Sequence, residues 1–313
     1  MGRRQPMDQH AAMLYRSPDE YLDAVVPFIS DGLAQGEPVW AAVPEDKGAL
    51  LRRALGDSAT QVAWVDIGEL GRNPGRILAA ELDFVQRHSR RPVRIVAEPV
   101  WPGRSTLEYP ACVQHEALVN IALGGERVTV LCPYDASLLD DAVLADVRAT
   151  HPMIRRNGSR ERSADYGVDA ALERCNQPLA ASPAAVRYTV ARPSDLAGGR
   201  RHGNRYARLL GLATERIADL QLVITELATN SLEHAGTACR LALWEQDRHL
   251  VCEARDTGLF SDLLAGRRPP SRDKPSSTGL FVVNAVADLL RMHTAPESTT
   301  IHVYLRLDVG SST

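Results

Sequence analysis

Glu226, Asn230 and His234 follow one another at intervals of four, inside a segment (214–234) whose apolar residues Ile217, Leu220, Ile224 and Leu227 also recur at helical spacing. Four residues is slightly more than one helical turn, so this pattern predicts an amphipathic helix with one packed stripe and one polar stripe. A carboxylate and a carboxamide in line offer oxygen ligands, which suits a hard cation such as Mg2+ bridging the protein to phosphates. Further on, Asp256-Thr257-Gly258 closes a strand-like run. An aspartate at a strand end can accept a hydrogen bond from a ring amino group, and a glycine two residues on lets backbone approach that ring. Gly279 opens the next apolar helical segment, whose first N–H groups are free to meet phosphate oxygens. Between these motifs Arg267, Arg268, Arg272 and Lys274 supply positive charge.

The elements that must position these groups are readable as a change of order along the chain. Up to about residue 150, apolar runs of strand length (38–43, 62–65, 93–97 and 128–131) alternate with segments of helical period (18–34, 45–55, 74–88, 109–123 and 137–149). That alternation predicts a doubly wound parallel sheet. Ser17-Pro18-Asp19-Glu20 and Asn73-Pro74 are helix-start signals. From 153 to 183 charged and small polar residues replace the periodic apolar ones, which predicts an interdomain connection with a short helix at 169–175. After it come a strand (186–191), two helices (195–210 and 214–234), a hairpin of two strands (239–246 and 249–256), a helix (279–290) and strands at 291–294 and 300–307. Helices gathered on one face of a mixed sheet describe an α/β sandwich, an architecture unlike the first half.

Composition bounds the function classes. With 313 residues the chain has room for two domains, and 44% hydrophobic with 24% charged residues is a globular balance. A net charge of −3 gives no field that would select nucleic acid or an anionic membrane. Five widely spaced cysteines without a CxxC indicate neither a disulfide framework nor a zinc knuckle. Two arginines near Met1 without an apolar run after them predict no secretory signal, and no run is long enough to span a bilayer, so a cytoplasmic protein is expected.

Taken in order, Glu226-x3-Asn230-x3-His234-Ala235, Asp256-x-Gly258, Gly279-Leu280 and the terminal Ser298-Thr-Thr300-Ile-His-Val-Tyr-Leu resemble the GHKL ATPase family, and within it the RsbW-type anti-sigma regulatory factors. The resemblance spans 184–308. It implies a Bergerat-type α/β sandwich that binds ATP with Mg2+, sequesters an RNA polymerase sigma factor and phosphorylates a serine or threonine of a STAS-type anti-anti-sigma protein. Carried onto this chain, Glu226 is the catalytic base and Asn230 the Mg2+ ligand. His234, Asp256, Gly258, Lys274, Gly279 and Thr300 surround the nucleotide, with Thr300 supporting the Asp256 contact. Phe260 stands where the family often has a second glycine, and Gly279 alone remains of the second glycine box.

The first half, 13–152, resembles the MEDS sensory domain through residues 21–36, Glu98-Pro-Val-Trp-Pro-Gly-Arg-Ser105, residues 109–120, Leu131-Cys-Pro-Tyr-Asp135 and Thr150-His-Pro152. The resemblance implies a RecA-like outline and a sensor for an unknown small-molecule signal. No Gly-x4-Gly-Lys-Ser/Thr is present, so no phosphate-cradling loop of a working P-loop ATPase is expected there. Candidate signal-site residues are Glu98, Trp101, Arg104, His115, Tyr134 and Asp135, near strand ends where parallel sheets bind ligands. Cys112 and His115 lie one turn apart, yet no second pair is spaced to complete a tetrahedral metal site. Two alternatives stay open: a regulator with a degenerate ATP site that acts by sequestration alone, and a sensor histidine kinase. The latter needs a long helical hairpin, for which the connection at 153–183 is short. No direct nucleic-acid or membrane partner is expected, and a homodimer is left open.

Overall fold

The structure is a computed structural model that describes residues 9–270 and 278–307. It divides into two compact units, one up to Cys175 and one from Asn176. The first holds β1 (His10–Tyr15), α1 (Pro18–Ala34), β2 (Val39–Val43), α2 (Glu45–Leu55), β3 (Val62–Asp66), α3 (Ile67–Leu70), α4 (Ile77–Arg87), β4 (Val93–Ala97), α5 (Tyr109–Leu123), β5 (Val128–Asp135), α6 (Asp141–Thr150), β6 (Met153–Arg156), β7 (Ser159–Arg162) and α7 (Val168–Cys175). The second holds β8 (Val186–Val190), α8 (Leu196–Leu209), α9 (Arg216–Asn230), β9 (Cys239–Gln246), β10 (His249–Asp256), α10 (Thr278–Val286), β11 (Leu289–Ala295) and β12 (Ser298–Arg306).

The first sheet has the order β3-β2-β4-β5-β1-β6-β7, parallel except for the β6–β7 pair. From β2 the chain runs outward to β3, and from β4 it runs the other way to β5, so the loops leaving these neighbours diverge and open a crevice at their carboxyl ends. Local sequence explains the helix starts. Ser17 accepts a hydrogen bond from Glu20 N at the head of α1, and Pro18 sits where no N–H is needed. α6 begins at Asp141, later than the expected 137, because Asp135 Oδ1 accepts from both Ser137 N and Ser137 Oγ and makes a turn, leaving Asp140 to cap the helix through Val143 N.

Three strands depart from the sequence expectation. β1, central and buried, is spelled His-Ala-Ala-Met-Leu-Tyr, mostly good helix formers, and becomes a strand because β5 and β6 pair with it on both sides. The stretch 153–162, expected as connection, is instead β6 and β7, joined by Asn157-Gly158 at φ 48° and 74°. β7 is exposed throughout, and the hairpin's arginines and glutamate are the charged residues a sheet edge carries against stray pairing. α7 then packs its Ala171 on Ala117 and Ala149 of the same unit.

The second sheet, β11-β12-β10-β9-β8, is antiparallel at every pairing, where a mixed sheet was expected. Asp247 and Arg248, at φ 48° and 60°, make the tight β9–β10 turn whose twist matches the strands. Cys239, Leu241, Leu243, Leu250, Cys252, Ala254, Ile301, Val303 and Leu305 face a core closed by Leu220, Ile224 and Leu227 of α9 and by Leu280 and Val283 of α10. Among the described residues no helix is long and apolar enough to cross a membrane, and all five cysteines are buried and outside any disulfide.

Candidate nucleotide cleft and the sensory unit

α9 does not run on to His234 as a regular helix. At Ser231–Ala235 the turn widens into a π-helical one and ends at Gly236, which takes the left-handed conformation at φ 66°. Single π turns are costly and recur where a side chain must be re-aimed. Here the widening turns Ser231 toward the sheet: Ser231 Oγ donates to Asp256 Oδ2 at 2.6 Å. Asp256 Oδ1 accepts from Gly258 N at 2.9 Å. The half-buried carboxylate is therefore held in one orientation, with a lone pair on each oxygen still open to a donor. Gly258 has to be glycine, since a Cβ there would run into the side chain of Ala235.

These residues line a cleft of about 120 Å³ together with Asn230, His234, Thr299 and the apolar Ala254, Phe260, Leu280 and Ile301. That volume is below the roughly 300–1,000 Å³ of sites that enclose drug-sized ligands and suits one ring system. Glu226 is off this wall, one turn back on α9, where it meets the start of α10. A Cβ on Gly279 would strike Glu226 Oε2 and lie 3.6 Å from Asn230 Oδ1. Glu226, Asn230 and Gly279 thus lie together beside the cleft, and Asn230 is the member of this group that lines it along with Asp256. The side chains of Glu226, Asn230 and His234 make no hydrogen bond or ion pair to the described residues, so their polar atoms are unspent.

Thr300 is not part of this group. In the β10–β12 register Thr299 lies opposite Asp256 and Thr300 opposite Arg255. Alternation along a strand then turns Thr300 to the far face of the sheet, and Thr299 Oγ1 donates to Gly258 O at 2.8 Å. Thr299 is the threonine of the cleft; Thr299 and Ser231 are the residues that sequence reading missed, and the two-residue period of the apolar Ile301, Val303 and Leu305 was the signal for the first of them. Of the basic residues, Arg267 is buried, which lowers its pKa to about 10. Arg268 lies 3.5 Å from Asp262. Lys274 and Arg272 fall outside the described residues. Phe260 packs against the core and forms part of the cleft wall.

In the first unit the six candidate residues separate into groups. Glu98, just past β4, is buried and accepts a hydrogen bond from Tyr15 OH at 3.0 Å. Lys47, on α2 beyond β2, sits 4.9 Å from the ring centres of both Tyr15 and Tyr21. Burial pushes the Glu98 carboxyl up to about 8, against the opposing pull of Tyr15 and Lys47. Tyr21 is buried beside Glu98, and burial together with the Glu98 charge pushes its hydroxyl well above the ordinary range. This buried nest lies past the carboxyl ends of β2 and β4, the neighbours whose loops diverge. Asp135 contributes charge to it but is spent on Ser137.

Trp101 and Arg104 brace a loop instead: the guanidinium stacks 3.7 Å from the Trp101 ring centre and donates to Pro99 O and Gly71 O. His115 faces Glu81 at 3.9 Å, both buried. Tyr134 points to the other side of the sheet from Tyr15's partner and donates to Glu116 Oε1 at 2.5 Å. The six therefore do not form one pocket.

The chain thus pairs a unit built on a mostly parallel sheet, with buried polar groups past its strand ends, with one built on an antiparallel sheet whose helices frame a cleft. Residues 9–152 match the family model described as MEDS, methanogen/methylotroph, DcmR sensory domain. Residues 189–305 match that of the histidine kinase-like ATPase domain. The chain is thus a fusion of an N-terminal MEDS domain with a C-terminal histidine kinase-like ATPase domain. No curated protein matches the chain.

Proposed function

We propose that the chain is an anti-sigma regulatory kinase. Its C-terminal domain, of Bergerat type, binds ATP with Mg2+, holds an RNA polymerase sigma factor and phosphorylates a serine or threonine of a STAS-type anti-anti-sigma protein. Its MEDS domain, RecA-like in strand order, receives a small-molecule signal in the crevice around Glu98. The reading is supported by one observation above the rest: Glu226 and Asn230 stand side by side against Gly279 with their polar atoms unspent, and Asn230 lines one cleft with the fixed carboxylate of Asp256.

These residues fit the nucleotide. Asp256 accepts from the purine amino group, Gly258 leaves room for the ring, and Asn230 Oδ1 offers an oxygen to Mg2+. Bound MgATP supplies the phosphoryl group and the cation that offsets its charge. Glu226 accepts the proton of the incoming serine or threonine hydroxyl at its carboxylate, and α10 brings main-chain N–H groups to the phosphate end. A second reading, sequestration without transfer, is favoured by Phe260, an apolar wall where a glycine would leave phosphate room.

The test incubates the full chain with labelled ATP, Mg2+ and purified STAS-type proteins of the host. One of these should acquire acid-stable phosphate, and Glu226→Gln should lower transfer by roughly 10²–10⁴ while ATP binding stays within about twofold. An acid-labile product, or transfer undiminished in that variant, contradicts the kinase reading. Partner binding that ignores ATP, without transfer, gives the second reading.

A further inference from the structure

Four side chains far apart in sequence meet inside the first unit: His10 at the head of β1, Glu116 in α5, Cys132 in β5 and His151 directly after α6. Each is at most 4% exposed, and one donor atom from each lies within 4.8 Å of all the others. Glu116 Oε2 is 3.2 Å from His10 Nε2 and 3.3 Å from His151 Nε2. Cys132 Sγ is 3.4 Å from His10 Nε2 and 3.6 Å from Glu116 Oε2.

The surrounding hydrogen bonds show which atoms carry protons. Asn120 Nδ2 donates to the carbonyls of Glu116, Ala117 and Thr150, which orients the amide and leaves Oδ1 as an acceptor 3.1 Å from His10 Nδ1. His151 Nδ1 is 2.9 Å from the carbonyl of Val147, which can only accept. Both imidazoles therefore donate through Nδ1, and in the neutral ring Nε2 is a bare lone pair. Both lone pairs face the same carboxylate oxygen, itself an acceptor, while the other oxygen of Glu116 takes the Tyr134 hydroxyl. His151 Nε2 is buried with no hydrogen-bond partner among the described residues. The Cys132 thiol directs its one proton at this oxygen, and the two Nε2 lone pairs and the carboxylate otherwise repel one another unless a proton or a metal cation sits among them. Fixing the tautomer by an Nδ1–H bond to a carbonyl is also how proteins orient metal-binding histidines.

Charge and geometry narrow the ion. A thiolate and a carboxylate with two neutral imidazoles sum to −2, so a divalent ion leaves this dry interior neutral. Ligand bonds of about 2.0–2.3 Å in a tetrahedron require donor separations of roughly 3.3–3.8 Å. The four separations above fall at or close to that range. Mixed nitrogen, sulfur and oxygen donors in such a shape suit zinc. We propose that His10, Glu116, Cys132 and His151 form a closed tetrahedral zinc site in the MEDS domain. It ties β1, α5, β5 and the end of α6 around one ion, so occupancy stabilises this unit.

The test uses the full chain made without a histidine tag. Metal content is measured as purified, and the chelator-stripped chain, checked for fold by circular dichroism, is titrated with Co2+ as the optical probe. One equivalent should bind with tetrahedral visible bands and a sulfur-to-cobalt charge-transfer band. Cys132→Ser should lose that band. Asn120→Ala, which keeps all four ligands, should weaken binding roughly 10- to 100-fold. Added Zn2+ should raise the thermal midpoint of the wild type and leave that of Cys132→Ser in place. A folded chain that carries no metal as purified and takes up neither Co2+ nor Zn2+ overturns the site, as does a Cys132→Ser variant with band and affinity unchanged.

Discussion

In the first unit Glu81, Glu98, His115 and Glu116 are each 2% exposed or less, enclosed between the parallel sheet and its helices. In the second, Asn230 and Asp256 line a cleft half-buried, with the half-buried Glu226 one turn back on α9, and the sheet face behind them is filled with Leu, Val and Ile. Enclosed polar groups can exchange only with something as small as a proton, an ion or a compact molecule, because anything larger requires the unit to open. Rim groups with unspent hydrogen bonds can take a bulky ligand from solvent without disturbing the core. The difference is that the first unit encloses its candidate carboxylates whereas the second sets those of its cleft where solvent reaches them.

Substitutions on each side can break or sharpen that contrast. The largest effect is expected at Gly279→Val, where the new side chain occupies the space of the Glu226 carboxylate. ATP affinity should fall by about a hundredfold, near 2.7 kcal/mol, in a titration that leaves the far-ultraviolet spectrum unchanged. Unchanged affinity would separate Gly279 from the ligand.

Glu98→Gln acts on the enclosed side. Glu98 keeps its proton in the folded state up to about pH 8, whereas the unfolded chain releases it near the ordinary carboxyl range. Between these values the folded state binds more protons, so the Glu98 contribution to stability falls as pH rises and levels off above 8. The glutamine variant lacks this decline and should be more stable than the wild type by about 4 kcal/mol at pH 9, with little difference at pH 5. Parallel stability profiles for the two proteins would remove the buried carboxyl from the account.

The smallest effect is the most local. Thr299→Val removes the hydrogen bond to Gly258 O and should cost about 1 kcal/mol of ATP affinity, a fewfold change. Thr300→Val, on the opposite face, should leave affinity alone. The reverse ranking would shift the register by one residue.

Much of this was legible in sequence where a local signal coincided with a tertiary need. The bounds of α1, α2, α5, β4, β9 and β10 follow from caps, periods and turn residues, and the stripe of Glu226 and Asn230 from spacing alone. What escaped depends on partners far along the chain. β1 is a strand only because β5 and β6 flank it. The β6–β7 hairpin is charged because it is an edge, so composition hid it although Asn157-Gly158 marked its turn. Thr299 and Thr300 are indistinguishable until the pairing with β10 is known. The meeting of residues 10, 116, 132 and 151 has no sequence motif at all, since each sits on a different element.

The central claim is that Asn230 joins a nucleotide's metal to the cleft that Asp256 anchors. Calorimetric titration of the full chain with ATP, with and without Mg2+, in wild type and Asn230→Ala tests it directly. One site per chain should appear, tightened by Mg2+ in the wild type, with that Mg2+ dependence absent and affinity much reduced in the variant. Equal ATP binding by both proteins, insensitive to Mg2+, would contradict it.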